Sequence, residues 1–516
     1  MNAFQFASRG GLNRATVFAG GNRVGKFVGV LLFFAAFFDP AAARGQSASP
    51  PKSDAISVDK IGPLDFAASW RVRVEGWDWF RGNSGQNAYA FPHSLLRIAI
   101  GQDRDSFSWK LEAAQDAILL LPRDAVIAAP QGQLGPGGTY YAANGNTRNN
   151  ADVFVKQAYF QLNRLGRGRL KLGRFEFADG TEVKPNDETL AALAQTRIAH
   201  RLIGNFSFSA VERSFDGAQF SYNIGKDNFS LFGGRTTRGV YQIDGMGELD
   251  VDVYYGAFTL PTETRRTAGE LRVFGLGYVD HRTGVLKTDN RPQAIRSADR
   301  QGIAIATYGG DYIHVLRAGD LGKFDLLAWG AVQTGSWGRL AQRAGAFVGE
   351  FGWQPPVTML KPWLSAGYSY GSGDGNANDS VHGTFFQVLP TPRLYARMPF
   401  YNMENNEDFY GALNVRPRKK LAIRSELHAL RLANRNDLWY LGGGAFQPHT
   451  FGYTGRASGG KRSLANVWDA SGDYQVTPSF AIGLYYGYAW GRAVIASVYP
   501  QKRESQFAYV ETNWRF

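Results

Sequence analysis

Cysteine is absent from all 516 residues. That excludes a disulfide framework, a thiolate metal site and a cysteine nucleophile. Beyond residue 50 the chain also lacks any apolar run near the ~20 residues that a membrane helix requires. That part of the chain is therefore either soluble or crosses a membrane as strands. Familiar nucleic-acid motifs are missing as well. The net charge is +13, from 57 Lys and Arg against 44 Asp and Glu. These basic residues are spread along strand-like segments instead of being gathered in a nucleic-acid-binding fold, so no nucleic-acid partner is expected. The seven histidines (His93, His200, His281, His314, His382, His428 and His449) show no paired spacing for zinc, and no cofactor is expected.

Glycine and aromatic residues are abundant, with 62 glycines and 14% Phe, Trp and Tyr. Glycine serves turns and close packing, and aromatics form the interfacial girdles of membrane barrels. At the N-terminus, basic Arg23 to Lys26 precede the apolar run Val28 to Phe38 and the small-residue site Ala41 to Ala43. This pattern predicts a secretory signal peptide over residues 1–43. Residues 44–63, rich in Ser, Pro and Asp, read as a flexible lead-in, and 64–516 as one barrel domain.

The final stretch, Glu504 to Phe516, alternates strictly. Phe516, Trp514, Thr512, Val510 and Ala508 share one face, and Arg515, Asn513, Glu511 and Tyr509 share the other. A period of two between apolar and polar faces marks a strand between two solvents. The same rhythm predicts eighteen strands from Leu64 onward. Short connections (DRD, LGRG, GKDN, AGDLG, RPRK, TPS) follow even-numbered strands, whereas long ones (122–150, 281–301, 372–407, 432–462) follow odd-numbered strands. Such sorting is the mark of an all-β transmembrane antiparallel barrel with short periplasmic turns and long outer loops. A longer insert, Ala178 to Asn205, carries a short helix at Glu188 to Ala199, capped by Asn186 or Asp187, with Leu190, Leu193 and Ala194 on one side.

Several stretches resemble the alginate export proteins of bacterial outer membranes. They are LKLGRFEFADG (Leu170 to Gly180), in which Phe175 replaces the family's usual Gln, RSFDGAQFSY (Arg213 to Tyr222), the block Ser369 to Pro417, and the C-terminal GLYYGYAWG with the Phe-terminated strand. The resemblance implies a monomeric eighteen-stranded barrel in the outer membrane. It implies a pore lined by arginine that passes an anionic uronate polysaccharide by diffusion, and a pore-lining role for Arg174. Expected partners are that polysaccharide, outer-membrane lipid and lipopolysaccharide, the barrel assembly machinery through Phe516, and a periplasmic secretion partner.

Parity along the strands places Arg71, Arg73, Arg97, Lys110, Lys361, Arg424 and Arg515 toward the lumen, with Glu75, Glu112, Glu426 and Asp469 among them; Arg213 joins the set. Guanidinium groups stay charged and match carboxylates in a fork, so they suit a polyuronate, and interspersed acids keep binding weak enough for release. The same charges could simply brace the wall. Strict alternation from Leu170 and Leu172 puts Arg174 on the lipid face unless Gly173 bends the strand. Two further patterns stand apart. Gly367 to Gly371 matches G-x-S-x-G, but in an alternating strand and not in the strand–turn–helix setting of a nucleophile elbow. Asp374, Asn376, Asn378 and Asp379 resemble the start of a calcium loop, although Phe385 stands where the bidentate Glu belongs. The function expected is a channel for an anionic polysaccharide. The alternatives are an uptake porin for small anions or nutrients, and a barrel-embedded hydrolase.

Overall fold

A computed structural model describes residues 59–391 and 397–516. The predicted signal peptide and most of the lead-in lie outside the described residues. A short strand, Asp59–Ile61, turns back on Leu64–Phe66.

Eighteen antiparallel strands close into a barrel. In chain order they begin with β1 (Leu64–Asp78), β2 (Ala88–Asp103), β3 (Phe107–Ile118), β4 (Asn150–Leu165), β5 (Gly168–Phe175) and β6 (Phe215–Ile224). Next come β7 (Asp227–Thr237), β8 (Glu248–Glu263), β9 (Thr267–Asp280), β10 (Ile303–Arg317), β11 (Lys323–Trp337) and β12 (Leu340–Gln354). The last six are β13 (Trp363–Gly371), β14 (Asn406–Arg418), β15 (Leu421–Arg431), β16 (Ser463–Thr477), β17 (Phe480–Gly491) and β18 (Glu504–Arg515). The seam joins β18 to β1 in register from Ser69↔Arg515 to Asp78↔Gln506. Backbone bonds between Ala68 and Phe516 continue it. Closure leaves no strand edge exposed to lipid, where an unpaired edge would be untenable.

The two faces of the wall reproduce the predicted parity. Trp70, Val74, Leu111, Leu172, Leu231, Val273, Phe351, Leu427 and Val510 are exposed on the outside, while Arg73, Glu75, Glu112, Arg272, Asp311, Glu350 and Glu426 are buried on the inside. A charge on the outer face should therefore be costly. Val273→Arg, near the middle of β9, is expected to destabilise the barrel by about 2–4 kcal/mol. The check is the temperature at which the folded band is lost on a heat-modifiability gel.

The loops sort by side as predicted, with one exception. β11 and β12 are joined on the long-loop side by only residues 338–339, where Gly338 adopts φ +61°. Two long connections turn inward. Residues 176–214, between β5 and β6, and the described parts of the connection between β13 and β14, 372–391 and 397–405, fold into the lumen. There they bury Leu190, Leu193, Leu202, Ile203, Phe385, Phe386, Val388 and Leu389 against inward aromatics such as Phe232, Phe274 and Trp329.

Candidate functional site: the lumen and the segment that crosses it

The insert leaves β5 at Glu176, close to Arg97 of β2 (3.0 Å), and reaches the far wall at its helix. Asp187 caps that helix, Glu188–Leu193, by accepting from the amides of Thr189 and Leu190, and the chain continues as a π turn over Ala194–Ile198. On the far wall Asp187 binds Arg317 of β10 (2.7 Å), and Thr189 binds Gln354 of β12 (3.1 Å). Arg197 is the principal clasp. Its guanidinium lies 3.0 Å from Glu350 of β12 and 2.9 Å from Glu426 of β15. The neck then closes, with the Asp179 amide bonded to the Ile203 carbonyl and the His200 amide to the Asp179 carbonyl. Residues 207–213 return to the first wall, so the insert spans the lumen. Each fully buried aliphatic side chain, such as Leu193 or Leu202, adds about 1.5–3 kcal/mol to this docking.

The predicted lumen residues now separate by role. Arg71 donates to the carbonyls of Ser207 and Ser209, and Arg73 to the carbonyl of Phe208 (2.7 Å) while also bonding Glu511 (Nε, 2.7 Å). Arg97 gathers Glu112, Glu176 and Glu212. Glu75 bonds Arg73 and His93. These groups face inward as predicted, but they hold the insert to the wall. Lys110 pairs with Glu112, and Arg424 with Glu426 (2.6 Å). Asp469 accepts from Tyr485 (3.0 Å), and Arg515 lies on the inward face of β18 beside the β1 seam.

Three predicted residues do not line the wall as expected. Lys361 lies in the exposed turn 355–362, where Leu360 and Lys361 both have positive φ (64° and 42°), because β13 starts only at Trp363. Arg174 points outward. Gly173 has φ +125°, yet pairing with β6 runs unbroken from Gly168 to Phe175, so strict alternation prevails. Arg174 joins an external ladder with Asp216, Arg235, Asp252 and His281. Arg213 belongs to the returning segment and not to a strand, with one Nη bonded to the Gly443 carbonyl (2.9 Å); burial lowers its guanidinium to about 10.

The parity that removes Arg174 brings in Lys171, on the inward side of β5. Its ammonium lies 4.7 Å from the Tyr159 ring centroid and 5.3 Å from that of Phe175, and no carboxylate partner is found among the described residues. Arg397, in the second inward segment, lies over Tyr485 and Tyr509, and burial lowers its pKa. Parity offered the first of these; nothing local in the sequence signals the second.

The other two motifs are structural. Gly367 to Gly371 lies within β13, paired to β12 and β14 throughout, so there is no elbow. In the would-be calcium loop, Asp374 accepts from the Asn376 amide, Asn376 from Asn378 and Asp379 from Val381, so these side chains bind their own backbone.

His200 lies at the contact between the two inward segments, 3.4 Å from the Thr391 hydroxyl. Burial pushes its imidazole down to about 4. A depressed histidine contributes stability above its unfolded value near 6.5 and loses it as pH falls toward 4. Asp179 in the same neck is pushed up to about 6 by burial and has the opposite sense, stabilising most at low pH. The two effects oppose each other at similar size, so acidification from pH 7 to 4 should leave current noise in wild type little changed. In His200→Gln the insert should instead become quieter, read in single-channel records.

Comparison with known proteins places these features in a family. The family described as alginate export matches residues 64–501. The fold is shared with OpdK, an outer membrane protein of Pseudomonas aeruginosa (9% identity, TM-score 0.51, covering 87% of this chain and 98% of that one). It is shared with OccAB2 of Acinetobacter baumannii (8%, 0.54, 87% and 98%). OccK9 (OpdG) of P. aeruginosa is a third (11%, 0.51, 87% and 97%). No curated protein matches the sequence.

Proposed function

The chain belongs to the alginate export family, and on that premise we propose that this outer-membrane channel passes an anionic, uronate-type polysaccharide by diffusion. A polyuronate carries one carboxylate per sugar and enters a narrow, low-dielectric lumen only with compensation. The observation that carries the reading is the pair Lys110 and Lys171. Both face the lumen from β3 and β5, and Lys171 is held by aromatic rings and not by an acid. Arg424 and Arg397 add cations elsewhere in the lumen. In this reading selectivity rests first on Lys171, while Lys110 and Arg424 each share a carboxylate with a second cation, Arg97 and Arg197 respectively.

The test is reversal potential in a KCl gradient, together with current block by polyuronate. Wild type should prefer chloride and be blocked from one side. Lys110→Glu with Lys171→Glu should shift the preference toward potassium and weaken the block. Unchanged selectivity in that double variant would refute the assignment. A second reading, uptake of small anions, is favoured by the crossing insert, which narrows the lumen. Anion preference with indifference to polyuronate would select it.

A further inference from the structure

The outer rim of the barrel, at the long-loop ends of the strands, is electrically uneven on its lipid-facing side. Along β5 to β8 the two arginines of the ladder, Arg174 and Arg235, face the acids Asp216, Asp250 and Asp252. From β14 to β18 the balance reverses. Arg431 and Arg462, each nearly half exposed, share the single carboxylate of Glu407 (2.6 and 2.7 Å). Arg492 is exposed, and among the described residues Arg503 has Glu504 as its one acidic partner, at 3.5 Å. Four guanidiniums thus face two acids.

Below these arginines the outward face is hollow. Register places Phe409, Ala429, Asn466 and Trp490 in one row across β14–β17, with Ala366, Gly411 and Leu427 in the row beneath. Small side chains at Ala366, Gly411 and Ala429 lie between the large exposed Phe409, Leu427 and Trp490. The resulting groove of about 850 Å³ opens at its upper end onto Arg492 and Arg503. The Arg431 guanidinium lies 5.3 Å from the Phe409 ring centroid, at the boundary between the apolar groove and the charged rim.

Exposed arginines at a hydrocarbon boundary are tolerated where headgroups supply anions, and their planar fork matches phosphate oxygens. The groove volume falls within the ~300–1,000 Å³ of sites that hold a whole small ligand. We propose that this face binds one phosphorylated, multiply acylated glycolipid of the outer leaflet. Its phosphates would lie on Arg431, Arg462, Arg492 and Arg503, with an acyl chain in the groove. This site is separate from the lumen and independent of the transported solute.

The experiment is native mass spectrometry of the lipid-depleted full-length barrel titrated with diphosphoryl lipid A. One molecule should bind. Each arginine removed in Arg462→Gln and Arg492→Gln should weaken binding at least about tenfold, as expected for a charge-assisted hydrogen bond. Ala429→Trp, which fills the groove and keeps every arginine, should also weaken it. Single-channel conductance should be unchanged in all three. Equal binding of a dephosphorylated lipid with the same chains, or wild-type affinity in the arginine variants, would overturn the proposal. So would a dimer mass lost in those variants, which would assign the face to a second copy of the chain.

Discussion

Deleting residues 181–199 should raise single-channel conductance several-fold while leaving the barrel folded. The neck makes this deletion geometrically simple. The Asp179 amide already bonds the Ile203 carbonyl, and the His200 amide bonds the Asp179 carbonyl, so Gly180 and His200 can be joined directly. The deletion removes the part that reaches the far wall: the helix, its Asp187 contact with Arg317, and Arg197 between Glu350 and Glu426. The barrel keeps its closed ladder, because none of its strand pairings involves these residues. Glu426 retains Arg424 and His428, and Glu350 retains the Tyr410 hydroxyl at 2.7 Å, so neither carboxylate is left without a partner.

Arg197→Ala is the graded form of the same experiment. Breaking a buried ion pair by removing one partner costs about 3–5 kcal/mol. Against it stand Leu190, Leu193 and Ile198, each worth about 1.5–3 kcal/mol when buried. The three together exceed the loss by only about 1.5–4 kcal/mol, so the insert should stay mostly docked and undock briefly and often. Arg197→Ala should therefore flicker between the wild-type level and that of the deletion. Steady wild-type conductance in the deletion would show that the segment does not limit flow.

Alternation along the chain was sufficient to read the wall, because a strand between lipid and water exchanges its faces residue by residue. Arg174 illustrates the strength of that rule. Similarity to a family motif suggested a lumen position, whereas strict parity from Leu170 gave the lipid face unless Gly173 bent the strand; the pairing runs unbroken and parity holds despite the unusual backbone at Gly173. Lys361 shows where the rule ends: two positive-φ residues form a turn, and face assignments mean nothing there. The capped helix of the insert was also legible, since Asp187 and the spacing of Leu190, Leu193 and Ala194 are local signals. Its destination was not. Arg197 meets Glu350 and Glu426 across 153 and 229 residues, and a period of two says which face a glutamate occupies but not what will reach it. For the same reason the sequence placed Arg71, Arg73 and Arg97 toward the lumen without deciding between pore cations and wall braces, and it did not show that what they hold is the insert.

That anchoring leads to the second large effect. Arg97→Met should be the most destabilising single change on the inner wall. Arg97 is the shared partner of Glu112 from β3 and of Glu176 and Glu212 from the two ends of the insert (2.6, 3.0 and 3.3 Å). Lys110 and Lys156 remain after its loss, but each is already engaged with one or more of the same acids. Three carboxylates would then share two ammonium groups and the more distant Arg71 guanidinium, 3.6 Å from Glu212, in a site largely closed to water. A loss of about 3–5 kcal/mol is expected, seen as a lower unfolding temperature on heat-modifiability gels. Glu112→Gln alone should be mild, because Arg97 keeps two acids. Combined with Arg97→Met it should recover part of the loss, since contacting residues of one charge network are non-additive. Simple additivity of the two changes would mean that Arg97 acts by packing alone. In the combined variant the basic wall would still hold the insert through Arg71 and Arg73, so its conductance should stay near wild type even as its stability falls.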